Sequence, residues 1–243
     1  MISELWSELS RLLQSLTKHQ YSHDPSKVEE AIDNTLSDLG LDHLDLYLMH
    51  WPVASTKSGN KIDFVDTWAA MVQVLQSGKT RHIGISNFDP QQLDTLLNST
   101  SHIPSVHQME MHPYLQQNDW LAYHTSRGIH VTAYSPLAGT NPTYGKGGEV
   151  PPLLQNKAMQ RLAAKRGCTV AQAALAWGQS RGTSVIPKSS HTDRIEENFG
   201  SEHCQLEKDD YDEIAELGEK YTHRYNNPSK SWGVPLYKGL DGT

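Results

Sequence analysis

Apolar residues along this chain alternate between two patterns: stretches repeating every three or four residues, and short unbroken runs. The first pattern predicts amphipathic helices and the second buried strands. Ile2, Leu5, Leu9, Leu12 and Leu16 form a helical stripe over 3–15, widened by Trp6 and Leu13 and opened by Ser3 as N-cap. Pro25 suits the first turn of a second helix. Its inner face is Val28, Ala31, Ile32, Thr35, Leu36 and Leu39, and Gly40 is its stop. Beyond it, strand and helix alternate. Strands are predicted at 43–49, 81–85, 105–109, 129–133 and 183–186. Helices are predicted at 66–76, 90–97, 119–127, 153–166, 170–181 and 191–199, with a Gly- and Pro-rich loop over 137–152. Such alternation implies an α/β fold with a parallel sheet and helical crossovers.

Polar residues gather just past the strand ends, as in a barrel with one functional face. The run Leu44 to Met49 is too short for an ordinary helix, and Pro52 stops it, so His50 and Trp51 sit at a strand's C-terminal end. Ser86 and Asn87, Gln108, Tyr134, and Lys188 with Ser189 take the same place on later strands, and Arg194 follows in the next helical turn. Lys188 and Arg194 flank a helix start, where free N–H groups and the helix dipole favour an anion, and two cations suit a phosphate. A solvated helix start is the plainer account of those two, a turn cap that of Asn87, and a core ring that of Tyr134. Their joint placement favours a nucleotide site.

Composition narrows the partners. A net charge of -7 and a pI near 6.0 leave no basic excess for general affinity to nucleic acid. No apolar run approaches membrane-spanning length. Glu4, Glu8 and Arg11 interrupt the N-terminal stripe, which therefore does not read as a signal peptide, and a cytoplasmic location follows by default. Cys168 and Cys204 have no metal spacing and read as free thiols of a reducing compartment. His107 and His112 flank Glu110 without zinc spacing, GKGGE at 145–149 matches no phosphate loop, and neither a GxSxG elbow nor a Walker loop is present.

The blocks DLYLMHWPV, SGKTRHIGISNF, HQMEMHPYLQQ, VTAYSPLAG and VIPKSSHTDRIEENF resemble the aldo-keto reductases, in particular the fungal aldehyde and glycerol reductase branch. They follow the family's order from about Thr17 to the region of Tyr225. The resemblance implies a TIM (β/α)8-type barrel that binds NADPH extended and reduces aldehydes and ketones to alcohols by hydride transfer. By position, His50 resembles the catalytic histidine that orients the carbonyl, Lys18 the catalytic lysine, and Trp51 a wall of the substrate pocket. Ser86, Asn87 and Gln108 match the residues that hold the nicotinamide carboxamide, and Tyr134 the ring that stacks on it. Lys188, Ser189 and Arg194 match the clamp on the 2'-phosphate, and Glu197 and Asn198 match residues near the adenine.

The sequence departs from the family in one place. It has no counterpart to the early hairpin, the first strand, or the segment carrying the aspartate and the general-acid tyrosine. The resemblance then implies an incomplete barrel, truncated by roughly the first two βα units, in one domain over 1–243. Within it, 1–16 is an atypical N-terminal helix and 226–243 a tail. Tyr21, close behind Lys18, is the candidate stand-in for the acid. The alternative reading is a catalytically impaired NADP(H)-binding relative; a lyase or isomerase for a phosphate ligand would leave the nicotinamide-side residues without a purpose. Substrate choice is expected to lie in 54–61, 137–152 and the tail.

Overall fold

A computed structural model describes residues 23–55, 61–140 and 150–240. The predicted helix over 3–15, Lys18, Tyr21 and the GKGGE segment lie outside the described residues. The chain divides into two compact units, Met1–His107 and Gln108–Thr243.

In the first unit, a short 3-10 turn, Pro25–Lys27, leads into α1 (Val28–Leu39). Asp24 caps the turn by accepting from Ser26 N at 3.0 Å. Gly40 ends α1 at φ 65, a left-handed conformation that suits glycine, and its N–H returns to Leu36 O and Ser37 O. Val28, Ile32 and Leu36 form the buried stripe, whereas Leu39 faces outward, so the inner face is narrower than the periodicity predicts. β1 (Leu44–Met49) pairs in parallel with β2 (Thr80–Ser86), from Leu44 opposite Thr80 to Met49 opposite Ile85. Between them, Ala54–Ser55 and Lys61–Ile62 form a short antiparallel pair inside a segment predicted as loop. α2 (Phe64–Gln76) starts earlier than predicted because the Asp63 side chain caps it, accepting from Val65 N at 2.9 Å. α3 (Pro90–Ser99) opens with a capping box between Asp89 and Gln92.

β3 (Val106–Glu110) crosses the division between the units. On the first side, Ser105 N donates to Ile83 O at 2.9 Å; on the second, Met111 N donates to Tyr134 O at 3.3 Å. In the second unit, α4 (Asn118–Thr125) precedes β4 (His130–Tyr134), which pairs in parallel with β5 (Ser184–Ile186). The helix predicted over 153–166 is broken. Asn156 ends a 3-10 turn, Leu153–Gln155, and its side chain caps α5 (Lys157–Lys165) by accepting from Ala158 N and Met159 N. α6 (Val170–Ser180) opens with a capping box between Thr169 and Gln172 and packs an alanine-rich face. α7 (Thr192–Phe199) buries none of its side chains. α8 (Lys208–Lys220) was not predicted: its buried residues are Asp210, Ile214, Leu217 and Gly218, too few of them large and apolar to declare a period. The short α9 (Ser229–Trp232) follows. Strands follow chain order through the sheet, which among the described residues ends at β1 and β5 and does not close.

The cysteine expectation is corrected. Cys168 and Cys204 are joined by a disulfide, with Cα atoms 5.8 Å apart, and no free cysteine remains. Their separation of 36 residues hid a proximity that only tertiary packing creates.

Gly84 in β2 is a packing constraint. A Cβ there would strike the Val106 carbonyl and the Leu48 side chain. Because one obstacle is backbone, relief requires strand movement. Gly84→Ala is expected to destabilise the fold by about 1–3 kcal/mol, read as a lower urea midpoint at unchanged m-value. An unchanged midpoint would show that the strands give way freely.

Candidate active site

In the first unit, the parallel ladder brings the ends of β1 and β2 to one side. Asn87 sits at φ 63, a left-handed position that asparagine tolerates. This turn aims its buried side chain back: Nδ2 donates to His50 O and to Ser86 Oγ, each at 2.9 Å. The turn-cap account of Asn87 therefore holds for its amide nitrogen, and what it caps is the histidine at the end of β1. Trp51 is only 7% exposed, and its ring centroid lies 5.7 Å from that of His50.

Burial, followed by repulsion from His23, lowers the His50 pKa to about 4. His23 is itself pushed down by burial, against the opposing effect of its bond to Val53 O. That bond, from Nδ1 at 3.3 Å, assigns the proton to Nδ1 and ties His23 to the segment after Pro52. His50 is thus a neutral imidazole, able to offer one N–H to an oxygen without adding charge.

The second unit holds Gln108 on β3 and Tyr134 at the end of β4. The Tyr134 hydroxyl accepts from Asn226 Nδ2 at 3.0 Å. Asn226 is held in turn by Glu110, whose carboxylate is fully buried. Glu110 Oε1 accepts from Tyr225 N and Oε2 from Asn226 N, both at 2.8 Å, and His112 Nε2 lies 3.0 Å from Oε1. Burial pushes the Glu110 pKa up, but the bonds and charge of His112, with Tyr225 N and Arg224, outweigh it and hold the group below its ordinary value. Tyr237, only 3% exposed, donates from its hydroxyl to Asn226 O at 3.1 Å. The start of the tail is therefore anchored around Tyr134.

Past β5, Lys188 is exposed and Ser189 is half-buried. Ser189 Oγ accepts from His191 N at 3.1 Å, turning the chain into α7. His191, the N-cap of α7, makes no side-chain cap bond. Arg194 is exposed in the first turn. Among the described residues, neither Lys188 nor Arg194 has a carboxylate partner within ion-pair distance. Uncapped N–H groups, a helix dipole and two unpaired cations suit a phosphate. At the far end of α7, Glu197 O accepts from Gln172 Nε2 at 3.1 Å, and Asn198 is half-buried.

The structure thus groups His50, Ser86 and Asn87 in one unit, and Lys188, Ser189 and Arg194 on one turn of the other. Gln108 and Tyr134 stand on β3 and β4. A sequence comparison matches residues 12–219 to the Aldo/keto reductase family. This chain belongs to that family. An uncharacterized oxidoreductase of Schizosaccharomyces pombe is 40% identical over 90% of this chain and 71% of its own length. An NADPH-dependent D-xylose reductase of Meyerozyma guilliermondii is 35% identical over 98% of this chain and 77% of its own. The solved structure of an aldo-keto reductase complexed with NADPH matches at a TM-score of 0.82 and 33% identity, over 90% of this chain and 67% of that one. The parallel strands and covering helices are accordingly those of an aldo-keto reductase barrel fold.

Sequence reasoning missed His23, Glu110 and Asn226, and it offered Tyr237 only as a tail residue that covers the pocket or lies free. Glu110 drew attention only as a possible metal ligand beside His107 and His112. In the fold, His107 Nε2 accepts from Phe88 N at 3.1 Å and His112 pairs with Glu110. No local signal reveals an anchor between residues more than a hundred positions apart.

Because the folded pKa of His50 lies below its ordinary 6.5, the unfolded chain takes up the proton first. The stability tied to neutral His50 is therefore complete above pH 6.5 and is lost as pH falls toward 4. In an NMR titration the His50 ring is expected to protonate with a midpoint near 4. A midpoint near 6.5 would show that the ring is solvated.

Proposed function

We propose that this aldo-keto reductase binds NADPH and reduces small aldehydes and ketones to alcohols. The observation that carries the reading is the pair of exposed cations, Lys188 and Arg194, without a carboxylate partner among the described residues, at the uncapped start of α7. A 2'-phosphate fits that donor set, and NADH has none to offer it. When bound, NADPH would supply the hydride.

The chain's own residues take the remaining roles. Neutral His50 donates an N–H to the substrate oxygen and fixes the face the carbonyl presents, with Trp51 as a wall beside it. By the family resemblance, Ser86 and Asn87 in the first unit, and separately Gln108 in the second, are the residues that would hold the carboxamide. Since Asn87 also bonds His50 O, cofactor contact and carbonyl orientation share one side chain. Tyr134 offers its ring face to the nicotinamide with its hydroxyl held by Asn226. Ser189 shapes the phosphate turn, and Glu197 and Asn198 border the adenine end. Lys18 lowers the pKa of the proton donor, and Tyr21 is the donor the sequence offers beside it. The cytoplasm is the proposed location, and a small carbonyl compound the partner.

The test is NADPH oxidation by the purified chain with an aromatic aldehyde and, following the xylose reductase relative, with D-xylose. Turnover is expected and should be lost in His50→Ala and Tyr21→Phe. NADPH binding without turnover would leave an NADP(H)-binding protein and remove the reductase reading. Unchanged turnover in Tyr21→Phe would remove Tyr21 from the proton path. Lys188→Ala and Arg194→Ala should each raise the KM for NADPH by about 10- to 100-fold, as for a lost charge-assisted hydrogen bond, and leave the KM for NADH unchanged.

A further inference from the structure

Helix α7 presents the proposed clamp, yet it buries none of its side chains. Burial therefore does little to hold it in place, and its position depends on its ends. The C-terminal end runs into a 3-10 turn, Gly200–His203, which buries Ser201 and then Cys204. Cys204 is bonded to Cys168. Cys168 directly precedes Thr169, the N-cap of α6. Gln172, which shares the capping box with Thr169, donates to Glu197 O in the last turn of α7. Its amide also sits so close to Gly200 that a Cβ there would meet Nε2 at 2.9 Å. One covalent and one hydrogen-bonded tie thus join the start of α6 to the end of α7. Because α7 is about 12 Å long, a small pivot at the tied end displaces Arg194 at the other.

We infer that the Cys168–Cys204 disulfide positions the phosphate clamp, so that opening it by a dithiol reductant selectively weakens binding of the 2'-phosphorylated cofactor. This rests on the reading of Lys188 and Arg194 as that clamp. Cys168 is half-buried while Cys204 is 6% exposed, so Cys168 is the sulfur an incoming thiolate meets. The thiolate attacks Cys168 Sγ, the S–S bond breaks, and its electron pair leaves on Cys204 Sγ, which takes a proton. The reductant's second thiol then displaces Cys168 from the mixed disulfide. The dithiol is oxidised by two electrons, and the protein gains two thiols.

The experiment compares the intact chain oxidised and after dithiothreitol treatment, with thiols counted by alkylation and mass. NADPH and NADH affinities are read by fluorescence titration, and helix content by circular dichroism. Reduction is expected to raise the Kd for NADPH about tenfold, reversibly, with the Kd for NADH and the helix content unchanged. Cys168→Ser should match the reduced protein and ignore the reductant. Equal NADPH affinity in both redox states would overturn the inference. So would a parallel loss of NADH affinity or of helix content, because the bridge would then be a general staple of the fold. Equal NADPH binding by oxidised wild type and Arg194→Ala would instead remove the clamp reading itself.

Discussion

Met49 lies opposite Ile85 and Tyr134 opposite Ile186, in parallel, so each pair of strands delivers its last residues to one side. Antiparallel pairing would send alternate strand ends to opposite sides. In the first unit this constraint is what lets Asn87, leaving β2, reach the carbonyl of His50, leaving β1. In the second it sets the end of β4, with Tyr134, beside the end of β5, from which Lys188 and the turn into α7 emerge. Gly84 lets β2 lie close to Val106 and Leu48, so the chemistry past the strand ends depends on a residue with no side chain inside one of them.

The two kinds of functional group sit in opposite environments, each suited to its task. In the proposed role, His50 offers a hydrogen bond to an oxygen that is gaining negative charge, without itself flickering between states. Burial and the neighbouring His23 hold it neutral. Lys188 and Arg194, proposed to meet a charged ligand arriving from water, are exposed. Exposure spares them the cost of desolvation, and the helix start adds partial positive charge without another side chain.

What could be read from the chain alone was whatever repeats locally. Strand runs and helical stripes placed all five strands of the sheet to within a residue or two, and with them the polar residues that follow the strand ends. The errors share a cause. Asn156 breaks a predicted helix because its side chain accepts two N–H groups, a local option that apolar periodicity does not register. α8 escaped notice because much of what holds it is ionic: Arg166 bonds both Asp210 and Glu207 at its start. The disulfide and the Glu110 anchor join positions whose proximity exists only after folding. Long-range polar ties leave no periodic trace, and here they decide how the functional groups are held.

Glu110 shows why such ties matter. A fully buried carboxylate costs several kcal/mol to desolvate unless hydrogen bonds replace the lost water. Here the replacements are the N–H groups of Tyr225 and Asn226 together with His112. The two backbone donors are consecutive, so only one conformation of the tail satisfies both oxygens. A change of side chain in that segment leaves the donors in place, whereas a shift of the backbone strands the charge. The anchor therefore specifies where the tail begins, and it places the Asn226 side chain against the Tyr134 hydroxyl. From that point the chain continues through α9 to Tyr237, whose hydroxyl returns to Asn226 O. The backbone beside Tyr134 is thus held by charge, and the side chains of Asn226 and Tyr237 carry that hold to the ring itself.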